Sequence, residues 1–362
     1  MLAKIIALSL SQRLLVLVLA LLLAAAGVQA FLQLPIDAFP DVSSTQVKLI
    51  LKVPGMTPEE VEARIVAPIE QELLGIARQT VLRSQSKYAI ADITLDFEDG
   101  TDVFWARQQV SERLAGVMKD LPPSVSGGMA PITTPLGEIF MFTIEGPLGL
   151  MEKRSLLEWT IRPQLRTIAG VADVNSLGGM VKSFEVIPDL AALAARGLSL
   201  QQLQQALEAN NRSDGAGRVG SGEESLLVRS DGAICTQDDV RAIAIASNNG
   251  VAVTVGQVAA VGTGALTRYG AVTQNGQGEA VEALVLAMRG ANAQKVLEQV
   301  RQRLREIGKT LPPGTTISPF YDRGNLVERA VSTVTGALGE ATVLVIVLLY
   351  LFLGNLRSAH FY

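Results

Sequence analysis

The hexamer QVSERL at Gln109–Leu114 returns as QVRQRL at Gln299–Leu304, and each copy is followed at the same offset by Leu-Pro-Pro, at 121–123 and at 311–313. A proline with a glycine seven residues later also occurs twice, at Pro68 and Gly75 and at Pro163 and Gly170. Two spacings kept in two places are the mark of an internal duplication. The fold therefore follows from reading one copy and locating the other.

The first copy opens on LPIDAFPDVSSTQVKLILKV, 34–53, in which two prolines set an extended exit and the end reads as a strand. Thr57 suits a helix N-cap, with Pro58 at the first position and Glu59 and Glu60 in the first turn, so a helix is expected from Pro58 to about Leu74. Val61, Ile65, Ile69 and Leu73 recur every four residues and give it one apolar face. Strands are expected at 80–86 and 89–97, then a turn and cap at EDGTD, 98–102. A second helix to about Lys119 is ended by the prolines. In the second copy 138–146 reads as a strand, 151–168 as a helix, and 172–188 as strands around Gly178 and Gly179. Further on come a strand at 280–288, a helix at 293–308 and a strand at 316–321. Each copy is a β-α-β, β-α-β unit of the ferredoxin-like kind. About ninety residues, 181–272, interrupt the second copy; 200–210 has a helical pattern and the rest reads as short strands with turns such as Asn248-Asn249-Gly250. An insertion that leaves its host intact commonly carries an interaction surface.

The apolar excess lies at the two ends. Lys4 and Arg13 precede an uncharged run over 14–32, which at about 1.5 Å per residue covers roughly 28 Å of a hydrocarbon layer of about 30 Å. Its length favours a retained anchor, 14–34, over a cleaved signal peptide, and places residues 1–13 in the cytoplasm. Near the other end ATVLVIVLLYLFL, 341–353, carries no charge and is followed by Gly354 and Arg357; a span over 334–353 would lead to a cytoplasmic tail, 354–362. Glu340 then lies near the outer interface, where a carboxylate can reach water. The resulting fold class is an α+β membrane protein in which two transmembrane helices flank two ferredoxin-like subdomains, 45–135 and 136–180 plus 273–321, the second interrupted by a mixed subdomain at 181–272.

Little in the sequence supports catalysis. Cys235 is the single cysteine and His360, the single histidine, lies beyond the second span, so no Cys/His metal cage, no Ser-His pair and no Cys-His pair can form between the spans. An enzyme is not expected, and no cofactor is implied. A net charge of -4 without a basic run argues against nucleic acid. Gly215, Gly217 and Gly220 match GxGxxG, but they follow a helix rather than a strand, which rejects a dinucleotide site. Met129, Met141, Met151, Met180 and Met288 offer thioethers to a soft metal, though methionine in strands and helices more commonly fills a core. Arg83 sits in an expected strand among polar neighbours, either as a solvated or salt-bridged strand residue or as a charge lining a solute path. Asp99 and Asp102 read as turn and cap residues. The segment NNRSDGAGRVGSGEE, 210–224, is too polar and glycine-rich to build a core and is either a loose loop or an arm ordered by a neighbour.

The motifs LPIDAFPD (34–41), FEDGTD (97–102), LGEI (136–139), IRPQLRT (161–167), ALEANN (206–211), PFYDR (319–323) and FLGNLRSA (352–359) resemble, in this order, the heavy-metal efflux branch of the resistance-nodulation-division transporters. The resemblance covers nearly the whole chain. It implies a proton-driven exporter of the bacterial inner membrane that works as a homotrimer with a periplasmic adaptor and an outer-membrane channel, most of this chain being periplasmic. By that resemblance 45–135 is a first porter subdomain, 136–180 with 273–321 a second, and 181–272 a docking subdomain. The docking arm that reaches the next protomer would carry Asn210, Asn211, Arg212, Asp214, Gly215, Gly217, Arg218, Gly220 and Glu224. Copper and silver exporters of the family favour methionines along the path; 266–268 offers none, which favours zinc, cobalt, cadmium or nickel. Family members continue through many more spans, including those that relay protons, so no proton-relay residue is expected here. The chain is expected to be the N-terminal part of such a transporter and not to transport by itself. The alternatives are a short membrane-anchored periplasmic scaffold and part of an exporter of organic solutes.

Overall fold

The computed structural model describes residues 11–33, 43–212, 214–221, 224–230, 232–248 and 251–353. Helix α1 spans Arg13–Gln33. The expected tail before it, the 34–41 exit and everything from Gly354 on lie outside the described residues. In the first copy, strand β1 is Thr45–Lys52, helix α2 covers 58–73, β2 is Gln79–Lys87, β3 is Ile90–Phe97, α3 is Val103–Val117 and β4 is Ser126–Met129. The sheet order is β2-β3-β1-β4, and β3 runs antiparallel to both β1 and β2. Along β1 burial alternates, with Val47, Leu49 and Leu51 fully buried, as expected of a sheet with one covered face. Helices α2 and α3 provide the cover, since Val61, Ile65, Ile69, Leu73, Ala106, Val110 and Leu114 join the strand residues in one apolar core.

The expected helix starts are supported by real caps. The Thr57 side chain accepts from the Glu60 amide and the Glu60 carboxylate accepts from the Thr57 amide, a reciprocal capping box. Asp102 caps α3 by accepting from Trp105 N at 2.7 Å.

Within α2 the structure adds something the four-residue pattern concealed. Four α-helical residues turn about 400°, so a strict period of four drifts about 40° per step and would carry Leu73 about 120° round from Val61. All four residues are nevertheless fully buried. The helix resolves the conflict with a π turn at Glu62–Val66, in which the Ala67 amide bonds back to the Glu62 carbonyl. One extra residue in the turn removes about 100° of the drift and leaves about 20°. Helix α3 needs no such device: its buried residues Ala106, Val110, Leu114 and Val117 are spaced four, four and three, which α geometry accommodates directly.

In the second copy β5 is Glu138–Glu145 and α4 covers 150–166, with a π turn at Leu157–Ile161. Strand β6 is Val171–Gly178. The two π turns stand at the same offset before Pro68 and Pro163, whose rings could not follow an undisturbed α turn without a clash against the preceding carbonyl. The insertion supplies β7 (Lys182–Pro188), α5 (Leu190–Ala195), α6 (Leu200–Asn210), β8 (Asp214–Ser221) and β9 (Glu224–Ser230). It continues with α7 (Gln237–Ala242), β10 (Ala244–Asn248), β11 (Val251–Thr254), β12 (Ala259–Ala265) and β13 (Val272–Thr273). The second copy resumes with β14 (Glu279–Ala287), α8 (Ala293–Gly308) and β15 (Thr316–Asp322), and α9 is Arg323–Leu353. The second sheet has the order β13-β14-β5-β15, with β6 also paired to β14. The path β6-β14-β5-β15 thus repeats the first sheet strand for strand, and the duplication read from two hexamers is a duplication of topology.

By contacts the chain forms two compact units. One comprises 1–143, 161–175 and 283–362; the other comprises 144–160 and 176–282. The second unit is built on the antiparallel pairs β7 with β12 and β10 with β11. It has its own small core, which includes Leu193, Leu203, Val240, Ile243, Val255 and Val258.

Among the described residues one helix, α9, is long and apolar enough to cross a membrane; the apolar stretch Leu14–Gly27 within α1 is shorter. Helix α9 begins at Arg323, eleven residues before the span expected from 334. At 1.5 Å per residue its 31 residues reach about 46 Å. A hydrocarbon layer of about 30 Å needs about 20 of them. The pattern of apolar residues marks only the uncharged part of the helix, whereas backbone hydrogen bonding continues it into its polar first turns.

Candidate functional site

Arg83 lies on β2, an edge strand, opposite Thr94 of β3. Its guanidinium meets the Asp96 carboxylate at 2.8 Å, with the Arg83 side chain 60% exposed and that of Asp96 12%. Asp96 also accepts from Ser44 Oγ at 3.5 Å, so the carboxylate ties the entering chain to the sheet. Sequence reading singled out the exposed arginine and missed its buried partner. Alternation along β3 gave no signal for it, since it groups Asp96 with half-buried Asp92 and Thr94; the burial of Asp96 comes from tertiary packing.

The 210–224 segment forms a β ribbon. Strand β8 pairs antiparallel with β9 from Asp214 opposite Ser230 to Ser221 opposite Glu224, with an irregularity between Gly215 and Gly217. The glycines of the GxGxxG match therefore lie on a strand, not at a strand-to-helix turn. Among the described residues this two-stranded sheet pairs with no further strand. Asn210 donates to Ala206 O at 2.7 Å, and the Asn211 side chain accepts from Ile234 N at 3.2 Å, closing the base of the ribbon. Arg212 follows at the base and is exposed, as is Asn211; the side chains of Asp214, Arg218 and Glu224 lie outside the described detail. The backbone groups of this glycine-rich strand are paired with those of β9, so the described segment is extended.

The stretch 266–268 ends in a bidentate pair: Arg268 Nη1 and Nη2 donate to the two Glu279 oxygens at 2.5 and 2.9 Å. These bonds hold the Glu279 carboxyl below its ordinary range. Met129, Met141, Met151, Met180 and Met288 are all half-buried. Among the described residues no three His, Cys, Asp or Glu side chains gather in a group that could hold a metal ion.

Two further arginines hold the chain near its expected membrane connections. Arg289 Nη1 donates to Ser44 O at 2.9 Å and to Thr45 Oγ1 at 3.1 Å, and its Nη2 donates to Ser43 O at 2.6 Å. Arg301 on α8 reaches the junction of β15 and α9. Neither stood out in sequence, because an arginine on a polar helix or loop looks solvated until its acceptors are known.

The sequence profile of the AcrB/AcrD/AcrF family matches residues 5–361. The chain belongs to this family. The relatives are transporters rather than enzymes, and the family is one of inner-membrane permeases. The chain is 41% identical over 99% of its length to Protein HelA of Legionella pneumophila. It is 38% identical over 99% to the cobalt-zinc-cadmium resistance protein CzcA of Cupriavidus metallidurans, and 36% identical over 97% to the cation efflux system protein CusA of Escherichia coli. It spans about 35% of the length of these proteins. A crystal structure of a heavy metal efflux pump superimposes with a TM-score of 0.86 at 33% identity, covering 98% of this chain and 36% of that one. The duplicated α/β units and the β ribbon thus lie in a chain of this family that is similar over nearly its whole length to part of a heavy metal efflux pump.

Proposed function

We propose that this chain contributes two membrane helices, two ferredoxin-like porter subdomains and a docking subdomain to a proton-driven exporter of divalent heavy-metal cations. The exporter acts as a homotrimer of the inner membrane with a periplasmic adaptor and an outer-membrane channel. The observation that carries the reading is the family match over 5–361 together with relatives named for cation efflux and metal resistance. Helices α1 and α9 are the two spans of the proposal, and α9 alone of the described helices meets the length and composition of one. Two helices cannot enclose a proton path, so the 362 residues by themselves are proposed not to transport.

In this proposal the β8–β9 ribbon is the arm that docks on the next protomer. A two-stranded hairpin is marginal in water by itself, and one unsupported by a further strand is stabilised when a neighbour covers it. Its eight-residue strand reaches about 26 Å, enough to leave its own subdomain. Arg83 enters as a path residue through its exposure on an edge strand.

The test is to express the complete gene in metal-sensitive cells and measure tolerance and cellular metal content. Increased tolerance to zinc, cobalt, cadmium or nickel is expected. Tolerance confined to organic solutes would overturn the substrate assignment. Deleting 210–224 should abolish trimer crosslinking, and undiminished crosslinking would refute the arm.

A further inference from the structure

The two helices that carry the duplicated hexamer differ where the first copy has Ser111 and the second has Arg301. The second lies beside the long apolar helix α9. Arg301 uses its whole guanidinium there: Nε donates to Asp322 at 2.6 Å, Nη1 to Glu328 at 3.0 Å and Nη2 to the Asn325 side-chain oxygen at 3.3 Å. The three acceptors stand at intervals of three residues: Asp322 ends β15, and Asn325 and Glu328 share one side of the first two turns of α9. The same corner is fixed by Asp322, which accepts from the Gly324 amide at 2.9 Å, and by buried Arg323, which donates to Leu136 O. A Cβ at Gly324 would lie 2.8 Å from Arg301 Nη2, so the guanidinium packs directly over this glycine.

We infer that Arg301 is a positioning residue that locks α8 to the extramembrane start of α9, so that a displacement of the membrane helix moves the second α/β subdomain with it. A lysine cannot replace it, since an ammonium group is a point charge and cannot match the three directions in which the guanidinium donates to Asp322, Asn325 and Glu328. About eleven residues of α9 stand outside a span of about 20, which gives the lock a lever about 16 Å long above the lipid. The use of this lock in transport rests on the proposed function; its existence does not.

The experiment measures distance rather than transport. Spin labels at Gln294 on α8 and Ser332 on α9, in a Cys235→Ser background of the full chain in nanodiscs, report the width of the α8–α9 distance distribution. A narrow distribution is expected for the parent. Arg301→Ala should broaden it at least twofold, and Arg301→Lys should restore only part of the order. Arg303→Gln, which breaks the pair with Glu306 on the same helix, should leave it unchanged. Equal widths for the parent and Arg301→Ala, or equal broadening by Arg303→Gln, overturn the inference. Should Arg301→Ala fail to fold, Asn325→Ala combined with Glu328→Ala removes the two acceptors on α9 instead: it must broaden the distribution, and an unchanged width overturns the inference.

Discussion

Deleting Ala63 together with Pro68→Ala should leave the first subdomain folded, although a residue is removed from the middle of a core helix. Val61 and Leu73 are twelve residues apart and share a face only because the π turn absorbs one residue. Without Ala63 the separation is eleven residues, and a plain α-helix brings the two within about 20°. Ala63 is exposed, so its loss uncovers nothing. The accompanying alanine is needed because Pro68 in an uninterrupted α-helix costs about 3 kcal/mol. The double change should therefore alter stability by less than about 1.5 kcal/mol, and the single deletion should cost about 3 kcal/mol. Deleting Ser111 from α3 is the contrasting case. That helix has no π turn, so everything beyond the deletion rotates by about 100° and buried Leu114 and Val117 turn outward, at about 1.5 to 3 kcal/mol each. Urea unfolding of the chain in micelles, followed by Trp105 fluorescence in a Trp159→Phe background, measures all three. The reasoning is refuted if the Ala63 double variant is as destabilised as the Ser111 deletion.

Arg83→Ala should change stability by no more than about 1 kcal/mol, because its side chain is mostly exposed. A larger loss of metal tolerance than of stability in cells would show that it serves the path. The Arg268–Glu279 pair gives a pH dependence of known sign. The Glu279 carboxyl is lowered from an ordinary value of 4.5, so its stabilisation is complete above that value and lost as pH falls through the depressed folded value. Thermal unfolding between about pH 6 and pH 3 should steepen less in Glu279→Gln than in the parent. Gly127→Ala should detach the end of β4 from β1, since φ is +110° and a Cβ would lie 2.3 Å from Ile50 O; loss of amide protection at 126–129 with β1 and β3 intact would show it.

The candidate site was less legible than the fold, because the partners of an arginine are set by distant chain. Arg83 stood out for its polar neighbours, but Asp96 is thirteen residues away on another strand, and Arg289 finds its acceptors about 245 residues upstream. The ribbon was missed as a strand for a different reason: glycine has little strand preference, and the pairing that makes 214–221 extended comes from 224–230.

By itself the sequence determined the duplication, the helices of both copies and their strands except β4, the caps at Thr57 and Asp102, and the apolar segment near its end. Each of these depends on residues a few positions apart, through periodicity, capping hydrogen bonds and the restricted backbone of proline. Tertiary structure alone decided where the helical phase had to be corrected by a π turn, where α9 begins, and that Arg301 reaches across to Asp322, Asn325 and Glu328. Burial is a property of a face packed against another element. The local pattern allows two helical phases that differ by one residue, and only the sheet beneath selects between them.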